Sequence, residues 1–137
     1  MKISKIILYD EPSVPEIQVT KLQEYLKENF PVKIEVRKSI IQNNTSASLD
    51  HIEKIASCRI LNPYVPSQVR KPTIEEINFE KENFDDTGAT ENIVMYDGFD
   101  LQKTFLEMIP EDERSSDFFH LIFTNKLTCT YDTNDYR

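Results

Sequence analysis

Residues 3–36 constrain the fold more tightly than any other part of the chain. Ile3-Ser4-Lys5-Ile6-Ile7-Leu8-Tyr9 is an isoleucine-rich run bounded by charge, which suits a strand buried inside an α/β sheet. Ser13-Val14-Pro15-Glu16 then fits a capping box, with the proline in the first turn, where its missing N–H costs no hydrogen bond. Val14, Ile17, Leu22, Tyr25 and Leu26 follow at helical spacing, and Pro31 stops the pattern, so a helix is expected over about 14–29. Val32, Ile34 and Val36 alternate with Lys33, Glu35 and Arg37, the pattern of a half-buried strand. A strand, a helix and a second strand at these lengths make a βαβ unit with a right-handed crossover.

The remainder extends that opening. Ser48 is a suitable N-cap for a helix through Leu49, Ile52, Ile55 and Ala56, and Ile60-Leu61 can begin a short strand. Residues 63–91, with prolines at 63, 66 and 72 and an acid-heavy end, read as an irregular extended connection. Ile93 to Tyr96 reads as a strand, and Asp97-Gly98-Phe99-Asp100 supplies turn and capping chemistry for a helix carrying Leu101, Phe105, Met108 and Ile109. Phe118–Thr124 and Leu127–Tyr131 are two strand-like runs joined across Asn125-Lys126, read as a hairpin. The expected fold is therefore α/β: a two-layer or three-layer mixed sheet that opens with a βαβ unit and ends in a C-terminal β-hairpin. At 137 residues the chain is expected to form a single domain. Asp132 to Arg137 resembles the turn after a strand, so the expectation is an N-terminal portion of something longer.

Composition excludes several chemistries. Gly88 and Gly98 are the two glycines, ten positions apart, so neither a phosphate-cradling loop nor a dinucleotide fingerprint is present. The net charge of −8 divides unevenly, +2 over residues 1–70 and −10 over residues 71–137. Nucleic acid and anionic membranes are thus not expected partners, and no cofactor is expected. The N-terminal apolar run is cut by Asp10 before a signal-peptide core forms, and Cys58 and Cys129 have no ligand-like spacing; a cytoplasmic protein with reduced, buried thiols is expected. If the final hairpin leaves a sheet edge unpaired, self-association through that edge follows.

No catalytic residue and no metal ligand is assigned. His51 and His120 lack a second His or Cys at ligand spacing and read as structural. Asp10 and Glu11 follow the first strand at its carboxyl end, where open α/β sheets place ligand-binding groups, although the start of the next helix also stabilises acids there. Asp97 reads as a helix cap. Asp132 and Asp135 can place two carboxylates at one rim of the sheet, or simply form a solvated turn.

Three segments stand out together: Leu8-Tyr9-Asp10-Glu11-Pro12-Ser13, Tyr96-Asp97-Gly98-Phe99, and Phe123 to Asp132 (FTNKLTCTYD) with Asp135-Tyr136-Arg137. They resemble a family of uncharacterised, largely archaeal proteins whose members continue well past the point where this sequence stops. The likeness spans nearly the whole chain, with Asp10, Glu11, Asp97, Asn125, Asp132 and Asp135 as its candidate motif residues. In element order the chain is also similar to the N-terminal lobe of zincin-type metallopeptidases such as the archaemetzincins, in which an edge strand precedes a helix bearing His-Glu-x-x-His. No His-Glu-x-x-His occurs here. Two functions are therefore expected: a scaffold or interaction module without a self-contained active site, or the N-terminal lobe of a metal-dependent hydrolase whose metal-binding helix lies elsewhere.

Overall fold

The structure is a computed structural model that describes residues 2–43, 49–61, 71–82 and 94–130. It is a mixed α/β fold with two small parallel sheets, and it groups into two compact units, Met1–Thr45 with Glu107–Asn125, and Ser46–Leu106 with Lys126–Arg137.

The first unit is built on strand β1 (Lys5–Tyr9), flanked in parallel by β2 (Lys33–Arg37) and β4 (Phe118–Ile122). Ile7, Leu8 and Tyr9 are 0% exposed, which is what a central strand requires, since side chains alternate between two faces and both must be covered. The register pairs Ile7 with Glu35 and His120, and Tyr9 with Arg37 and Ile122. In-register partners share a face, so one face carries Ile6, Leu8, Ile34, Val36, Phe119 and Leu121, while the other carries Lys5, Ile7, Tyr9, Glu35, Arg37 and His120.

Helix α1 (Val19–Asn29) is the crossover between β1 and β2. Its entry differs from the expected capping box. Pro15–Ile17 forms a separate 3-10 turn, Gln18 turns the chain at φ 49°, ψ 59°, and α1 starts only after it, without a side-chain cap. The Ser13 hydroxyl does not cap because it donates instead to the Glu11 carboxylate at 2.6 Å. None of the α1 residues is fully buried. Its cover of the apolar face is thus partial, and an apolar cavity of about 230 Å³ remains between Leu26, Phe30, Val32, Ile3, Ile6, Phe119 and Leu121.

The second unit contains α3 (Leu49–Ser57), α4 (Ile74–Glu82), the short parallel pair β3 (Met95–Asp97) and β5 (Leu127–Cys129), and all but the last two residues of the helix that follows β3, α5 (Gly98–Met108). A four-residue helix, α2 (Ile40–Asn43), belongs to the first unit. Ile52, Ile55, Ala56, Cys58, Tyr96, Leu101 and Phe105 form the buried apolar set of the second unit. Asp97 caps α5 as expected, its Oδ1 accepting the N–H groups of Phe99 at 2.9 Å and Asp100 at 3.0 Å. Gly98 lies in close approach to β5: a Cβ there would lie 2.9 Å from Thr130 Cγ2, so that side chain would have to shift.

Two further expectations are corrected. The C-terminal strands exist, but they are not a hairpin: β4 pairs with β1, and β5 pairs with β3. β1 needs a second neighbour to satisfy its backbone groups, and β4 supplies it. Within the stretch read as an irregular connection, residues 74–82 are helical. Thr73 Oγ1 accepts the Glu76 N–H at 3.3 Å, Glu75 and Glu76 lie in the first turn and Lys81 in the last, the charge order that a helix dipole favours. The expected Ser48 cap and the acidic segment 83–91 lie outside the described residues. No helix among the described residues is long and apolar enough to cross a membrane.

Because Leu8 is fully enclosed, Leu8→Ala is expected to lower stability by about 2–5 kcal/mol, measured from the shift in urea midpoint.

Candidate functional site

The sequence-derived candidates are not gathered into one place. Asp10 closes β1; its N–H donates to the Arg37 carbonyl at 3.0 Å, and its Oδ1 accepts the Glu11 N–H at 2.8 Å. Glu11 is buried, with Oε1 accepting from the Ser13 hydroxyl and, at 3.4 Å, from the Ser13 N–H. Both acids therefore fold back on the turn that leaves β1. Asp97 lies in the second unit as the α5 cap, and Asn125 is exposed in the connection between β4 and β5. Asp132 and Asp135 lie outside the described residues.

A different set of side chains converges on the polar face of the three-stranded sheet. The Arg37 guanidinium donates through Nη1 and Nη2 to the two carboxylate oxygens of Glu113, each at 2.7 Å, a forked pair that fixes both groups. Nη2 also donates to Glu35 at 3.1 Å, and Lys5 Nζ approaches the same Glu35 oxygen. Glu113 comes from a 3-10 turn, Glu111–Glu113, just before β4. His120 Nε2 is 2.7 Å from the Glu113 carbonyl oxygen, and Nδ1 is 3.1 Å from the Tyr9 hydroxyl. A carbonyl only accepts, so Nε2 carries the proton; in the neutral ring Nδ1 then accepts from Tyr9, whose oxygen accepts from Arg37 Nη1 at 3.4 Å. The rings of Tyr9 and His120 stack at 5.8 Å.

The electrostatics follow from these contacts. The hydrogen bonds from Arg37, then from Lys5, hold Glu35 below its ordinary carboxylate value. Arg37 does the same to Glu113, and Glu113 in turn raises Arg37. Burial pushes the Tyr9 phenol up, partly offset by the positive charge of Arg37, so Tyr9 stays a protonated donor. Two cations meet two carboxylates, so the set is balanced in charge. The chemistry this arrangement offers is the fixing of strand ends.

Sequence reasoning missed Arg37, Glu113 and Tyr9. The alternation Lys33-Glu35-Arg37 already shows opposite charges two residues apart on one strand face, which was the available signal. The partner Glu113 is 76 positions away and left no local trace.

The second unit has its own charged centre. Glu80 on α4 is 3% exposed and meets the Tyr96 hydroxyl, Arg59 and Lys126. Cys58 hydrogen-bonds through sulfur to the Lys54 carbonyl at 3.1 Å and lies 3.6 Å from Thr104 Oγ1; burial pushes its thiol up to about 11. Such a thiol is inert at neutral pH.

Over residues 2–137 the sequence matches the family described as "Probable metallopeptidase family (DUF6775)", and the chain belongs to that family. No curated protein and no solved structure matches it. The described residues do not fit a peptidase metal. Among them no three His, Cys, Asp or Glu side chains are placed to hold an ion. His120 uses both ring nitrogens inside the sheet network, and a metal-binding imidazole needs one nitrogen free. His51 has a buried Nδ1 without a hydrogen-bond partner, with no ligating set around it among the described residues.

The forked pair sets a pH dependence. Glu35 and Glu113 have folded values below the 4.5 of an ordinary carboxyl group, so their stabilisation is complete above about pH 4.5 and is lost as pH falls through the lower folded values. Arg37→Met is expected to lower the urea midpoint at pH 7 and to flatten its decline between pH 5 and pH 3, roughly the range in which carboxylates titrate.

Proposed function

We propose that this chain is a scaffold lobe of a metal-dependent peptidase, in which the metal-holding groups come from a separate segment and not from the two units described above. Membership in a probable metallopeptidase family supplies the reaction class. The observation that carries the rest is His120: it is placed on a sheet strand, and its two nitrogens are committed to Tyr9 and to the Glu113 backbone. The chain's other histidine is His51, and neither is part of a His-Glu-x-x-His run. A zinc-type centre draws on several such nitrogens or carboxylates converging within about 2.0–2.2 Å of one point.

In this reading the polar face of the three-stranded sheet is a rigid platform. Its balanced charges lock β1, β2 and β4 at their ends, so that whatever docks beside them meets fixed positions. Asp10 and Glu11, at the carboxyl end of β1, belong to the rim of that platform. Asp132 and Asp135, which the sequence allows at a rim of the sheet, are the alternative that the experiment must address.

Zinc and manganese titrated by calorimetry into the 137-residue chain are expected to give no stoichiometric binding. One-to-one binding that disappears in Asp132→Asn/Asp135→Asn would overturn the scaffold reading and place the metal at the end of the chain. One-to-one binding that disappears in His120→Ala would overturn it equally, by showing that the imidazole leaves its network.

A further inference from the structure

Helix α4 is attached through an uncommon kind of side chain. A surface helix ordinarily docks through a stripe of apolar residues. In α4 the fully buried residue is a carboxylate, Glu80, whereas Ile74 is 73% exposed and Ile77 and Phe79 are half-buried.

Glu80 is met from three other segments of the second unit. The Tyr96 hydroxyl donates to Oε1 at 2.5 Å, Arg59 donates to the same oxygen through Nε and Nη2 at 3.3 Å each, and Lys126 Nζ lies 3.5 Å from Oε2. The Arg59 guanidinium also covers the Phe79 ring at 4.6 Å, and Lys126 covers the Tyr96 ring at 4.9 Å. Arg59 and Tyr96 are themselves an antiparallel bridge pair, with the Ile60 N–H donating to Met95 at 2.8 Å and the Asp97 N–H to Cys58 at 2.7 Å. The backbones of Arg59 and Tyr96 are therefore held by bonds that do not involve α4. Burial and the charge of Glu80 push the Tyr96 phenol up, so it remains a donor at any ordinary pH.

The geometry points to α4 as a strap fastened by the Glu80 carboxylate, able to open locally while the receiving strands and the three-stranded sheet stay folded. Closing it brings one carboxylate to two cations and a phenol, of which Arg59 and Tyr96 stand on backbone that is already paired. Opening it breaks that charged contact together with the packing of α4 on α3 and the half-burial of Ile77 and Phe79, but releases no fully buried apolar side chain. Local openings of this kind are drawn from elements with few buried apolar contacts.

Hydrogen exchange on the 137-residue chain tests this. Glu80→Gln removes the charge and keeps the shape; amides 75–82 are expected to exchange faster by about tenfold or more, while those of β1, β2 and β4 stay within about twofold. Tyr96→Phe removes one hydrogen bond and no charge, and is expected to speed the same amides by roughly threefold. Unchanged α4 amides in Glu80→Gln, or equal acceleration across α3, β3 and the three-stranded sheet, would overturn the strap. If Glu80→Gln fails to fold, Tyr96→Phe decides: selective acceleration of α4 supports the strap, and uniform or absent acceleration overturns it.

Discussion

Strand β1 sets the conditions that the first unit has to meet. Three consecutive side chains at 0% exposure demand cover on both faces of one strand, and the chain meets that demand in two chemically different ways. On one face α1 lies over isoleucine, leucine and phenylalanine side chains, and its incomplete burial leaves a cavity. On the other, Tyr9 and Ile7 are enclosed beside a charge-balanced set in which Arg37 links Glu35, Glu113 and the Tyr9 hydroxyl. A guanidinium forked onto the Glu113 carboxylate and bonded also to Glu35 tolerates partial burial that a single charge does not, because each charge faces an opposite one.

The parts of the fold that were legible in the sequence are those whose information is local. The period-two run in β2, the helical spacing of Leu22 and Leu26, and the Asp97 cap need only a few neighbouring residues to be recognised. The capping box at Ser13 was equally local and did not form, since Glu11, two residues earlier, competes for the same hydroxyl. Helix α4 was hidden for the opposite reason. Thr73-Ile74-Glu75-Glu76 is itself a capping-box pattern, but the prolines at 63, 66 and 72 favour extended chain before it, and an inward-facing glutamate breaks the apolar stripe by which helices are found. The hairpin reading failed because proximity along the chain favours β4 with β5, whereas the central strand's need for a neighbour favours β4 with β1.

The candidate site was less legible than the fold. Asp10, Glu11 and Asp97 are each explained by the turn or cap in which they sit, and their prominence in the sequence reflects that local chemistry. The side chains that do converge, Tyr9, Arg37, Glu113 and His120, come from four segments whose spacing along the chain carries no motif. Family membership points to a probable metallopeptidase, and none of these four side chains belongs to a metal-holding group among the described residues.

The strand order has one further consequence, for how the molecule can be divided. Each compact unit is assembled from two separated pieces of chain, and the boundaries at residues 45, 106 and 125 mean that the polypeptide passes between the units three times. Neither unit corresponds to a contiguous fragment, so neither can be cloned, excised or shuffled by cutting the gene at one or two places. Register partners such as Lys5 and Phe118 are far apart in sequence, so β4 can join the sheet only after all the residues between them have been made, and its arrival completes the first unit.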